Sequence, residues 1–100
     1  MTYPDPQNNP VFERQPAWMT KKLHQSRVGI AGCGGLGSVV AECLSRSGIG
    51  HLEIVDFDRI EPSNLNRQRY AFHQLGKPKA TTLAENIKAY NSGIELIIHD

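Results

Sequence analysis

Residues 32–37 read Gly-Cys-Gly-Gly-Leu-Gly, directly after the apolar run Val28-Gly29-Ile30-Ala31 and directly before a periodic stretch with Leu36, Val39, Val40, Cys43 and Leu44. A short apolar run suits a strand, and apolar residues at i, i+3, i+4, i+7 and i+8 suit a helix packed on a sheet. The glycines therefore fall in the turn between strand and helix. In such a turn the first glycine permits the tight bend, the second lets the backbone approach a diphosphate, and the third lets helix and strand pack closely. The N–H groups and positive dipole end of the new helix then attract negative charge. A nucleotide site is the expectation, and the choice of nucleotide rests on the rest of the chain.

The flanking segments extend the pattern. Arg27 to Ala31 is continuous enough to predict a strand buried on both faces of a parallel sheet. A helix is predicted from Gly35 to Ser47, stopped by Gly48, and a second strand from His51 to Asp56. Strand, helix, strand is the parallel crossover unit. Pro78 opens a further helix with Ala80, Leu83, Ala84 and Ile87 on one face, ending near Asn91-Ser92-Gly93, and Ile94 to Ile98 makes a third strand. Upstream, Pro16 to Ser26 suits a short helix offering Trp18, Met19 and Leu23 for packing, while residues 1–11, with their prolines, read as a flexible arm. The expected fold is α/β: the front half of a doubly wound, Rossmann-like parallel sheet, three strands alternating with helices, preceded by a short N-terminal helix. Because such a half leaves a sheet edge and part of a face unpaired, residues 12–100 are expected to be the N-terminal part of a longer nucleotide-binding domain.

Composition narrows the function classes. No apolar stretch approaches the ~20 residues a membrane span needs, and Met1-Thr2-Tyr3-Pro4-Asp5-Pro6 lacks a secretory signal pattern, so a cytoplasmic location is expected. A net charge of +1 argues against a nucleic-acid binder driven by bulk electrostatics. Cys33 and Cys43 form no Cys-x-x-Cys pair; both are expected to be reduced, with Cys43 in the core. Charge is unevenly spread. Glu53, Asp56, Asp58 and Glu61 cluster together, and between Pro62 and Ala84 there is no acid while Arg67, Arg69, Lys77 and Lys79 all fall there. A solvated surface could produce the same switch. Yet Asp56 closes the second strand, where a carboxylate can accept hydrogen bonds from ribose hydroxyls. The cations of the long connection, interleaved with Asn64, Asn66 and Gln68, offer more donors than a dinucleotide's two phosphates need. They suit a triphosphate whose charge must be stabilised while pyrophosphate leaves.

These residues carry a resemblance. Ser26-Arg27-Val28 through Gly32-Cys33-Gly34-Gly35-Leu36-Gly37-Ser38, Val55-Asp56-Phe57-Asp58, Ser63-Asn64-Leu65-Asn66-Arg67-Gln68 and Gly76-Lys77-Pro78-Lys79 look like the front half of the ThiF/MoeB family, relatives of the ubiquitin-activating enzymes. The match covers about residues 12 to 98 and is most similar to compact ThiF-type proteins. The resemblance implies ATP-dependent adenylylation of the C-terminal glycine carboxylate of a ubiquitin-like sulfur carrier of the ThiS/MoaD type, with a Gly-Gly tail, in thiamine or related sulfur-transfer biosynthesis. By matching position, Gly32, Gly34, Gly35 and Gly37 would hold phosphates, Asp56 the ribose, and Arg67 and Lys79 the triphosphate. Asn64 and Gln68 would orient the loop, and Asp58 belongs to the family signature or caps a loop. Arg14 matches an arginine that reaches into a partner subunit's ATP site, which would make the working unit a homodimer. Magnesium is implied with its ligand beyond Asp100, and zinc content is left open.

Other readings stand beside this one: a tRNA-base dehydratase of the same family, an NAD- or FAD-binding oxidoreductase domain, or a non-catalytic nucleotide-binding fragment. The full-length protein is expected to be an enzyme, and these 100 residues alone inactive. Arg69 and Lys77 are weaker candidates than Arg67 and Lys79, His73 is expected on the surface, and Cys33 is rejected as a nucleophile.

Overall fold

The structure, a computed structural model, describes residues 5–100. Three strands, β1 (Arg27–Ala31), β2 (His51–Val55) and β3 (Glu95–His99), pair in parallel in the order β1-β2-β3. Helix α2 (Gly35–Ser47) links β1 to β2, α3 (Lys79–Lys88) links β2 to β3, and α1 (Ala17–Gln25) precedes the sheet. The alternation of strand and helix is the one expected. Strand ends differ by one residue: β2 stops at Val55, and β3 starts at Glu95.

The register aligns Val28 with Leu52 and Leu96, and Ile30 with Ile54 and Ile98. Val28, Ile30, Leu52, Ile54 and Leu96 join Ala41, Leu83 and Ile87 in the hydrophobic core. Parallel crossovers are right-handed, which sends α2 and α3 to the same face. The opposite face carries Arg27, Gly29, Glu53, Glu95, Ile97 and His99, all exposed. There His51 Nδ1 meets Glu95 Oε2 at 2.6 Å, and His99 Nε2 meets Glu53 Oε2 at 3.3 Å. β1, expected to be buried on both faces, is thus covered on one only, and its burial alternates along the strand.

Helix α2 corrects a second expectation. Its buried residues are Ser38, Ala41 and Ser45, while Leu36 is 80% exposed and Val40 and Cys43 also face outward. Of the predicted apolar stripe, Leu44 packs against the core. The cause is closeness: a Cβ added at Gly37 would lie 1.8 Å from the Gly32 carbonyl oxygen. At that separation only small side chains fit between helix and sheet. In α3, by contrast, Ala80, Leu83, Ala84 and Ile87 are buried as the spacing predicts.

Helix α1 buries Thr20 rather than its aromatic residue. Trp18 is 68% exposed and Met19 is exposed as well. The helix is held by its main chain, Leu23 accepting from the Gly50 N–H at 3.1 Å. Of the arm expected over residues 1–11, residues 1–4 lie outside the described residues. The others form two 3-10 turns, Pro6–Asn8 and Pro10–Phe12, capped by the side chains of Asp5 and Asn9. Phe12 is buried against Gly48 and ties these turns to the end of α2. Among the described residues no helix is long and apolar enough to cross a membrane.

Candidate functional site

The site begins where β1 ends. Gly32 has φ +96°, a conformation that side chains disfavour, and its N–H donates to the Val55 carbonyl at 2.7 Å. The first bond of α2 runs from the Ser38 N–H to the Gly34 carbonyl at 2.9 Å. The N–H groups of Gly34, Gly35, Leu36 and Gly37 have no acceptor among the described residues. Free donors at the positive end of a helix form a cradle for an anion.

Asp56 braces that cradle. Its Oδ2 accepts from the Cys33 N–H and its Oδ1 from the Asp58 N–H, each at 2.7 Å. Carboxylate oxygens retain further lone pairs, so ribose contact stays open to Asp56. Asp58 is exposed, and its carbonyl accepts from the Lys79 N–H at 2.9 Å. The turn after β2 therefore connects the glycine loop to the start of α3.

Lys79 opens that helix with its stem buried; its ammonium is not sealed from solvent and has no hydrogen-bond or ion-pair partner among the described residues. A lysine ammonium free of carboxylate partners beside such a loop adds to the loop's attraction for an anion. It acts on the neighbouring Cys33. Burial, aided by Asp56 and Asp100 and opposed by Lys79, pushes the Cys33 thiol up to about 12. Reaction at sulfur needs the thiolate. Iodoacetamide at pH 8 is therefore expected to label the exposed Cys43 and leave the fully buried Cys33 unmodified in the native protein, as peptide mass mapping would show. Modification of Cys33 at the same rate would contradict this packing.

The connection between β2 and α3 closes over the loop. Asn64 is buried; its Oδ1 accepts from the Glu61 N–H at 2.8 Å and its carbonyl from the Gln68 N–H at 2.9 Å. The buried Gln68 side chain lies beside Gly34, its Nε2 3.6 Å from where a Cβ would stand. The Arg67 side chain runs along Gly35, 3.6 Å from where a Cβ would stand, and its guanidinium donates to the Ser63 carbonyl at 3.1 Å and to Asn66 Oδ1 at 3.0 Å. Arg67, Gln68 and Lys79 thus surround one loop. Arg69 instead faces Glu42 at 3.6 Å, Lys77 and His73 are exposed, and Arg14 lies exposed in the turn before α1.

Three further residues belong to this framework and carry no role in the sequence reading. Tyr70 donates its hydroxyl to the Cys33 carbonyl at 2.6 Å, and Ser38 Oγ accepts from the Arg69 N–H at 3.2 Å. Asp100 accepts from the N–H and hydroxyl of Thr81, in the first turn of α3. Their roles depend on the path of long connections, which no local spacing reports. Among the described residues no group of three His, Cys, Asp or Glu side chains could hold a metal ion. The arrangement is an anion cradle with an unpaired lysine ammonium beside it.

Comparison with known proteins gives the family. Residues 7–100 match the ThiF family. The adenylyltransferase and sulfurtransferase MOCS3 of Caenorhabditis briggsae is 46% identical over 81 residues, spanning 80% of this chain and 20% of that protein. Ubiquitin-like modifier-activating enzyme 5 of Caenorhabditis elegans is 35% identical over 80 residues, spanning 80% of this chain and 19% of that protein. The chain therefore spans about a fifth of the length of these relatives. The structure of E. coli tRNA N6-threonylcarbamoyladenosine dehydratase, TcdA, in complex with ATP superposes with a TM-score of 0.83 at 30% identity, covering 90% of this chain and 37% of that one. With a matching fold, a matching family pattern over almost its whole length and relatives of this similarity, the chain belongs to the ThiF family.

Proposed function

We propose that these residues form the ATP-binding part of an adenylyltransferase that activates the C-terminal glycine carboxylate of a ubiquitin-like sulfur carrier, in thiamine or related sulfur-transfer biosynthesis. The observation that carries the reading is Lys79, a lysine with a buried stem and an ammonium without an ion-pair partner among the described residues, beside a loop of free N–H groups. A triphosphate supplies the missing negative charge. In the reaction a carboxylate oxygen of the carrier attacks the α-phosphorus, the bond to the bridging oxygen of the β-phosphate breaks, and an acyl-adenylate and pyrophosphate result. The products matter because a carboxylate cannot expel oxide, whereas the acyl-adenylate has a good leaving group.

In this reading the loop N–H groups, Lys79 and Arg67 hold the phosphates and stabilise the charge that gathers on departing pyrophosphate. Asp56 takes the ribose while bracing the loop, Asn64 and Gln68 hold the connection in place, and Asp58 joins loop to helix. Arg14 is assigned to the site of a second copy in a homodimer. Among the described residues no group of His, Cys, Asp or Glu side chains forms a magnesium site.

The name of MOCS3 favours adenylyl transfer joined to sulfur transfer, and that of the modifier-activating enzyme a ubiquitin-like substrate. The likeness to TcdA supports a second reading, an ATP-dependent dehydratase acting on a tRNA base. Pyrophosphate exchange separates them. Full-length protein with ATP is expected to exchange labelled pyrophosphate only when a carrier ending in Gly-Gly is present; ATP turnover that answers to tRNA and to no carrier would replace the first reading by the second. Calorimetry showing tight NAD binding and none of ATP would remove both.

A further inference from the structure

Cys33 sits at the bend of the glycine loop, and its two peptide groups are held from opposite directions. The peptide before it is set by the Cys33 N–H donating to Asp56 and by the Gly32 carbonyl lying against Gly37. The peptide after it, joining Cys33 to Gly34, is set by one hydrogen bond, from the Tyr70 hydroxyl to the Cys33 carbonyl at 2.6 Å. A trans peptide is planar, with C=O and N–H pointing in opposite directions. Fixing that carbonyl toward Tyr70 therefore aims the Gly34 N–H away from Tyr70. That N–H is one of the four donors without an acceptor among the described residues.

We infer that Tyr70 is a positioning residue for the phosphate cradle, its hydroxyl orienting the Cys33–Gly34 peptide so that the Gly34 N–H faces the bound phosphates. The inference deepens the ATP reading above and rests on it for the identity of the ligand. Tyr70 suits the task because its ring packs against the hydrophobic core, which leaves the hydroxyl little freedom. Burial, with Cys33 and Asp56 adding to it, holds its ionisation far above the ordinary tyrosine range. The donor therefore keeps its proton across the pH range in which such a protein works. The chain around it is anchored too: Ser38 Oγ accepts from the neighbouring Arg69 N–H, so helix α2 and the connection are joined on both sides of the cradle.

Tyr70→Phe in the full-length protein tests this, because it keeps the ring and removes only the donor. Calorimetry with ATP, inorganic tripolyphosphate and adenosine is the measurement, with a melting curve and the Cys33 carbonyl carbon shift recorded alongside. The expected result is about a tenfold loss of affinity for ATP and for tripolyphosphate, unchanged adenosine binding, and a moved Cys33 carbonyl resonance. Unchanged affinity for both phosphate ligands would overturn the inference. An equal loss for adenosine would do so too, since it would mean general damage to the fold. Wild-type protein that binds tripolyphosphate without preferring ATP would remove the ATP reading and leave Tyr70's role standing, provided the variant still loses tripolyphosphate. Binding of neither phosphate ligand by the wild type would remove both.

Discussion

Replacing Lys79 by methionine is expected to lower the affinity for ATP about 100-fold, roughly 2.8 kcal/mol, and to change the stability of the ligand-free protein by less than about 1 kcal/mol. Methionine has similar length and fills the space of the buried lysine stem, and the ammonium it removes makes no hydrogen bond or ion pair among the described residues. In the complex the same ammonium neutralises phosphate oxygens inside a partly water-excluded site, where a charge counts for more than in solution. Differential scanning calorimetry and ATP titration of one variant measure the two effects. A lower melting temperature with undiminished ATP affinity would make Lys79 a structural residue and take away the main support for the proposed function.

Gly37→Ala is the second large effect. Its Cβ would stand 1.8 Å from the Gly32 carbonyl oxygen and 2.8 Å from the carbonyl carbon. Both are backbone atoms, so no rotamer change relieves the overlap, and α2 must move away from β1. Overpacking of this kind costs about 3 kcal/mol, a large part of the roughly 5 to 15 kcal/mol that holds a domain together. Whatever fraction remains folded will have a displaced helix start, and ATP binding is expected to fall below detection. Gly29→Ala is the matched control. There an added Cβ meets nothing within 4 Å, on the open face of the sheet, and stability should change by less than ~0.5 kcal/mol. Urea denaturation of the two variants compares them directly. Equal midpoints would mean that α2 does not approach β1 as closely as described.

What could be read from the amino acids alone follows from the range of the interactions involved. The glycine loop, the strand before it, the helix after it and the α3 face of Ala80, Leu83, Ala84 and Ile87 are local patterns, and the fold reproduces them. The buried face of α2 is not local. It depends on how near the helix comes to the sheet, and that closeness selects Ser38, Ala41 and Ser45 over the larger residues that dominate a hydrophobic periodicity. Trp18 misleads for a related reason: an aromatic residue implies a core, but α1 touches the rest of the protein through Thr20, Leu23 and its main chain. In the site, Arg67 and Lys79 stand out as cations in a run without acids. The burial of Lys79 and the reach of Tyr70 arise from the path of the connection after β2, which the residue types along it do not encode singly.

The bracing of the glycine loop bears on how the protein folds. The hydrogen bonds from Cys33 to Asp56, from Arg69 to Ser38 and from Tyr70 to Cys33 join residues 23, 31 and 37 positions apart. Each closes a long stretch of chain, so its entropic cost falls late, after helices have formed from local contacts. A glycine loop compact in sequence is in this way assembled by the most distant contacts of its neighbourhood. Intermediates with intact helices but an undocked connection would have no cradle, and a ligand held by it would bind the completed fold alone, drawing the population toward that state in proportion to its concentration.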